Sequence, residues 1–197
     1  MRFILASGSA SRKRVLEAVG VPFTAVPADI DEDRLKDELL TGGAELASVA
    51  GALADAKALH VSRTQPDALV LGADQALLFE DELVSKCADL AAARALLSRL
   101  RGKPHRLTSA LTLAQGGAVL WRHNANSTLH MRDFSDAFLE AYLSTEGEGI
   151  LGCVGCYKLE GLGSQLFDSV EGDYFSILGL PLQPLLAELR GQGVIAT

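Results

Sequence analysis

The sequence is poor in cysteine, methionine and tryptophan, with three, two and one of them among 197 residues. Three thiols, an odd number, do not make a disulfide framework and fit a reducing cytosol, so a cytoplasmic protein is expected. No uncharged apolar run reaches the roughly 18 residues of a membrane span. Near the start only Phe3-Ile4-Leu5-Ala6 is apolar, too short for the apolar region of a signal peptide. Positive charge is also scarce. Lys and Arg total 18 against 25 Asp and Glu, and the net charge of −7 speaks against broad binding to nucleic acid or an acidic membrane.

Several chemical motifs are missing as well. There is no P-loop and no nucleophile elbow. Gly147, Gly149 and Gly152 match a dinucleotide fingerprint only formally, because they follow a helical stretch instead of a strand. Cys153 and Cys156 form a lone C-x-x-C without a second ligand pair, and the four histidines show no zinc spacing, so structural cysteines are expected.

What remains is a chain with 48% hydrophobic and 22% charged residues, enough for one domain spanning 1–197, at most two lobes sharing a core. Phe3 to Ala6 reads as a buried strand, followed by a helix capped by Ser9 with Val15, Leu16 and Val19 at helical spacing. Phe23 to Val26 reads as a strand, Asp29 to Glu38 as an acidic stretch, and Ala44 to about His60 as a long helix. Ala68 to Phe79 is strand-like, interrupted by Gly72, Asp74 and Gln75, and Leu90 to Leu100 is helical. His105 to Leu113 and Ala118 to Met131 read as a β-hairpin. A helix from Ser135, strands at Gln165–Val170 and Tyr174–Leu178, and a helix opened by Pro181 complete the pattern. Early alternation and later hairpins predict an elongated mixed β-sheet flanked by helices, an α/β fold.

Three features carry chemistry. In Ser7-Gly8-Ser9-Ala10-Ser11-Arg12-Lys13-Arg14 a strand ends in hydroxyl residues and a helix begins with three cations. Cations at a helix N-terminus are unfavourable, so the run suits either a bound anion or a basic end pointing into water. Asp74 stands in the apolar Leu69-Val70-Leu71-Gly72-Ala73-Asp74-Gln75, where a carboxylate must be paired, hydrated, metal-bound or at a strand end reaching solvent. Gly72 before it allows a ligand or another backbone to come close. Lys57 continues the apolar stripe of its helix, either snorkelling or directed into a polar pocket that Lys86 can also reach. Asp31 and Glu32 add carboxylates, or belong to a solvated acidic loop.

In this order the pieces resemble the Maf family of house-cleaning nucleotide pyrophosphatases over nearly the whole chain. Ile4-Leu5-Ala6-Ser7-Gly8-Ser9 with Arg12 is similar to that family's phosphate-binding motif, and Leu71-Gly72-Ala73-Asp74-Gln75 to its catalytic strand. Leu159-Glu160-Gly161-Leu162-Gly163 resembles its base-specificity loop. Gly172-Asp173-Tyr174-Phe175 with Leu178-Gly179-Leu180-Pro181-Leu182 resembles its closing motif. The resemblance implies a fold of Maf and inosine-triphosphatase type with two lobes around a central cleft. It also implies hydrolysis of a nucleoside triphosphate to monophosphate and pyrophosphate with a divalent metal (Mg, Mn or Co), and a homodimer.

By position the resemblance makes Asp74 the group that activates water. Ser7, Ser9, Arg12, Lys13, Lys57 and Lys86 would bind the triphosphate, and Asp31 with Asp74 would hold the metal. Ser11, Gln75 and Glu160 sit where base preference is set. The Asp-Gln and Lys-x-Glu-Gly patterns are similar to the branch that prefers 7-methyl-GTP, not the one acting on dTTP and UTP. Glu160 can accept hydrogen bonds from guanine's N1–H and 2-amino group and favours a methylated, cationic base. Ser11 replaces a larger residue, Lys13 an arginine, and Ser85-Lys86-Cys87 a Gly-Lys-Pro. A nucleotide-binding regulator of division or growth with little turnover is the alternative reading of the same pocket.

Overall fold

The computed structural model describes residues 1–196. The chain forms a seven-stranded sheet in which β1 (Phe3–Leu5), β2 (Thr24–Ala25), β3 (Leu69–Phe79), β5 (Pro104–Gln115), β6 (Ala118–Met131) and β7 (Phe167–Glu171) lie in the order β2-β1-β3-β5-β6-β7. A short β4 (Glu82–Val84) pairs with β3. The sheet is mixed, as the sequence predicts: β1 runs parallel to β2 and β3, whereas β3–β4 and β6–β7 are antiparallel. The chain divides into two compact units, and β3, β5 and β6 contribute residues to both.

The first unit comprises residues 1–75, 109–125 and 173–197. Its helices are α1 (Ala10–Ala18), α2 (Glu32–Thr41), α3 (Val49–Thr64), α6 (Tyr174–Ile177) and α7 (Leu182–Gly191). Side chains alternate across a strand, and the sheet accordingly has two buried faces. Phe3, Leu5, Leu69, Leu71 and Ala73 cluster with Val15 and Leu16 of α1 and with Leu182, Leu185 and Leu189 of α7. Ile4, Ala6 and Val70 cluster with Val61 of α3.

The second unit, residues 76–108 and 126–172, packs α4 (Leu90–Leu100) against α5 (Asp136–Glu146). Asp89 and Ser135 cap these helices by accepting from Ala92 N and Phe138 N. Buried here, His105 Nε2 lies 2.7 Å from Tyr157 Oη, and Tyr157 meets Phe167 edge-on.

Three elements differ from the sequence reading. The acidic stretch is helical, because Asp31 caps α2 and Glu32 and Asp33 occupy its first turn, where carboxylates complement the helix dipole. The stretch read as interrupted is one continuous strand, Leu69–Phe79, since burial outweighs the poor strand propensity of Gly72 and Asp74. Tyr174–Ile177 is a helical turn, because Asp173 Oδ2 accepts from both the backbone N–H and the hydroxyl of Ser176.

Candidate active site

The alternation of β3 decides how the site is built. Gly72 and Asp74 share one face, and Ala73 and Gln75 the other. At Gly72 helix α3 approaches so closely that a Cβ would lie 2.1 Å from the Ala54 carbonyl oxygen and 2.7 Å from Ala58 N. Of the two readings of this glycine, the close backbone is the one realised. The contact brings Lys57, between those two residues, onto Asp74.

Lys57 Nζ donates to Asp74 Oδ1 at 2.6 Å and to Glu32 Oε2 at 2.8 Å. Lys57 and Asp74 are only 7% and 8% exposed, whereas Glu32 is exposed. A buried lysine between two carboxylates is the paired arrangement that low-dielectric burial demands. Asp31 plays a different part. Its Oδ1 accepts from Arg34 N at 3.0 Å, which caps α2 and presents Glu32 to Lys57. Glu32 therefore joins the site more closely than the sequence signals. Its only mark in the sequence is its place beside Asp31.

The N-terminus of α1 supplies the cationic part. Ser9 Oγ accepts from Arg12 N at 3.4 Å, and Ser7 Oγ accepts from Ser9 N at 3.3 Å. Arg12 is 8% exposed and donates from Nε to Gly179 O at 2.9 Å and from Nη1 to Ser7 Oγ at 3.1 Å. Gly179 takes φ of +85°, a region open to glycine, and its missing side chain leaves room for that guanidinium. Burial pulls the Arg12 guanidinium below its ordinary value, while attraction to Asp74 and Glu32 opposes this. A desolvated cation held by neutral oxygens is prepared for an anion. Ser11 donates from Oγ to Leu178 O at 3.3 Å, and Lys13 is half-buried on the same helix.

On the opposite face, Gln75 Nε2 donates to Ser109 Oγ at 2.8 Å and to Ile177 O at 2.9 Å, with Ser176 O at 3.2 Å. Ser109 Oγ in turn donates to Ser176 O at 2.6 Å. The amide thus ties β3 and β5 to the α6 turn that Asp173 organises. The sequence marks Gln75 but not Ser109 or Ser176, whose partners are far away along the chain.

Lys86 and Glu160 belong to the second unit, and both are exposed. Lys86 lies in the segment between β4 and α4. Glu160 lies in a turn made tight by Gly163, where a Cβ would come 2.5 Å from Lys158 O. Among the described residues, no three His, Cys, Asp or Glu side chains are grouped to hold a metal by themselves. Asp74 and Glu32, both bonded to Lys57 here, are the carboxylates that would offer hard oxygen donors to a Mg²⁺-like ion.

These features define an α/β protein with a buried arginine at a helix start and, in the same unit, a buried lysine paired with two carboxylates. The family model described as Maf-like protein matches residues 2–192, and the chain belongs to that family. It is 50% identical over 190 residues to the nucleoside triphosphate pyrophosphatase of Granulibacter bethesdensis, covering 96% of each chain. To the 7-methyl-GTP pyrophosphatase of Mesorhizobium japonicum it is 48% identical over 194 residues, covering 98% of each. Among solved structures, a HAM1 protein from Coxiella burnetii aligns with a TM-score of 0.44 and 16% identity, over 68% of this chain and 74% of that one. No helix among the described residues is long and apolar enough to cross a membrane.

Proposed function

We propose that this chain hydrolyses a nucleoside triphosphate to the monophosphate and pyrophosphate, with 7-methyl-GTP or a similar modified nucleotide as substrate. The observation that carries the reading is the meeting of Asp74 with Lys57, on one face of β3, in a unit that also holds the buried Arg12. Full-length likeness to curated pyrophosphatases supports the reaction class.

In the proposed reaction a water molecule attacks the α-phosphorus in line, and the bond from that phosphorus to the bridging oxygen breaks. Asp74 accepts the proton of the attacking water through the carboxylate that Lys57 orients. Arg12, Lys57 and Lys86, with the hydroxyls of Ser7 and Ser9 and the charge of Lys13, bind the phosphates and neutralise the departing pyrophosphate. Such catalysis is chiefly positioning and electrostatics. A divalent metal would be held by Asp74 with Glu32, and by Asp31 through the oxygen its cap leaves over. When bound it supplies Lewis-acid charge stabilisation to the phosphates. Glu160 is assigned to the guanine edge, Gln75 and Ser11 to the shape of the base site. A homodimer belongs to the same reading and is checked by the mass in solution.

The test is a panel of ordinary and modified triphosphates incubated with the pure protein and Mg²⁺, Mn²⁺ or Co²⁺, with the products identified. Pyrophosphate and monophosphate are expected, fastest from 7-methyl-GTP. Release of orthophosphate, or stoichiometric binding without turnover, refutes the reading.

A further inference from the structure

The end of the α6 turn holds side chains from three other elements. Ser176 O accepts from Ser109 Oγ at 2.6 Å, and Ile177 O accepts from Gln75 Nε2 at 2.9 Å. Leu178 O accepts from Ser11 Oγ at 3.3 Å, and Gly179 O accepts from Arg12 Nε at 2.9 Å. Four successive main-chain carbonyls thus bond side chains from β5, β3 and α1, all within the first unit. A helix leaves its last carbonyls without an intrahelical N–H, so side chains of neighbouring elements can claim them.

What keeps this turn in place is Asp173. Helix α6 has only four residues, too few to persist on its own hydrogen bonds. Asp173 Oδ2 accepts from Ser176 N at 2.7 Å and from Ser176 Oγ at 2.8 Å, so one carboxylate oxygen fixes the residue at which the row of carbonyls starts. Ser176 and Ile177 are buried, whereas Asp173 is exposed and can lose its carboxylate without leaving a cavity. The row also orients the Gln75 amide. Ser176 O and Ile177 O can only accept, so the NH2 group faces them and Oε1 is the atom left to meet a ligand.

We propose that Asp173 is a positioning residue for both ends of the nucleotide, setting Gln75 and Ser11 at the base and Arg12 at the phosphates through the Ser176–Gly179 carbonyls. The assignment of base and phosphate ends rests on the functional reading above, whereas the row of carbonyls does not. Asp173 acts through Ser176 and is not itself placed against the substrate. Its loss frees the turn, and the side chains that share the turn lose their common register together. Gln75 then no longer holds Oε1 toward an N–H donor of the base, and the Arg12 guanidinium loses a fixed acceptor. Asp74 lies on the other face of β3 and pairs with Lys57 of α3, so the water-activating step suffers less than binding.

The experiment measures the dissociation constants of 7-methyl-GTP and dTTP for the full chain by calorimetry, without metal. In Asp173→Ala both should rise by roughly fivefold or more, and the preference for 7-methyl-GTP should shrink by roughly threefold. Asp173→Asn keeps an oxygen that can accept both Ser176 bonds and should stay within about twofold of the parent. Ser176→Ala loses only the hydroxyl bond and should shift both constants the same way by less, which keeps the proposal falsifiable should Asp173→Ala fold poorly. A folded Asp173→Ala that binds both nucleotides as the parent does overturns the proposal. So does an Asp173→Asn as impaired as Asp173→Ala, since the carboxylate charge would then act directly. Weaker binding with an unchanged preference overturns the coupling to the base end. With Mg²⁺ added, KM should rise in Asp173→Ala while kcat falls less; a lower kcat at the parent's KM overturns the positioning of binding groups. Absence of any pyrophosphate release from the parent overturns the reaction reading and leaves the binding comparison standing.

Discussion

The carbonyl oxygen of Ala54 occupies the place where a side chain on Gly72 would stand, 2.1 Å from the nearest possible Cβ. That contact sets the height of α3 above β3 and so the 2.6 Å pairing of Lys57 with Asp74. Gly72→Ala must push the two backbones apart. The expected cost is about 1–3 kcal/mol of stability, as for other overpacked cores. Turnover should fall by roughly tenfold or more once the pair is displaced. Chemical denaturation and kcat on one preparation check this, and an unchanged kcat in a folded variant refutes the positioning role.

Asp74→Asn keeps the shape of the carboxylate and removes its basicity. A loss of at least about a hundredfold in kcat is expected, with KM little changed. Glu32 still holds Lys57, so the variant should fold. Near-normal turnover would exclude Asp74 as the base.

Arg12→Lys retains charge but cannot bond Gly179 O and Ser7 Oγ together, as the guanidinium does through Nε and Nη1. A KM for triphosphate raised by about tenfold is expected, since a planar fork is not replaced by a point charge. Steady-state kinetics at fixed metal concentration measure it; a KM equal to the parent's counts against phosphate binding at α1.

Glu160→Gln removes a carboxylate that prefers guanine's donors and a cationic base. The ratio of kcat/KM for 7-methyl-GTP over dTTP should drop by roughly tenfold, while turnover of some nucleotide persists. A substrate ranking identical to the parent's removes Glu160 from the base site.

His105 gives a pH signature independent of the site. Burial first, and the nearby His130 charge second, lower its pKa from 6.5 to about 4. Between these values the unfolded chain binds the proton and the folded chain does not, so stability falls as pH drops from about 6.5 to 4 and levels below. The contribution is of order 3 kcal/mol at most. Denaturant midpoints across that range should show it, and His105→Gln should flatten the slope in this window.

Much of the fold can be read from local pattern. Helix α4 lies where its periodicity and the Gly102-Lys103-Pro104 stop place it, and the Gly116-Gly117 turn of the hairpin shows positive φ at both residues. Tyr174–Leu178 reads as a strand because its β-branched and aromatic residues outweigh a cap. Only the contact of Asp173 with Ser176 converts that segment to a helical turn. In the site, Ser9, Arg12, Lys57 and Asp74 stand out as polar residues in apolar or helix-start contexts. Glu32, Ser109 and Ser176 do not, since nothing in their own neighbourhoods is unusual.

The sequence by itself determined the kinds of chemistry available: cations at a helix start, one carboxylate in an apolar strand, a lysine on an apolar stripe. Period-two alternation also dictated that Asp74 and Gln75 face opposite sides of the sheet. Which groups meet was decided only by tertiary structure. Lys57 reaches Asp74 across 17 residues and Arg12 reaches Gly179 across 167, and both depend on backbones that approach where glycine leaves room. Such approaches are set by the packing of whole elements, and no local spacing along the chain encodes them.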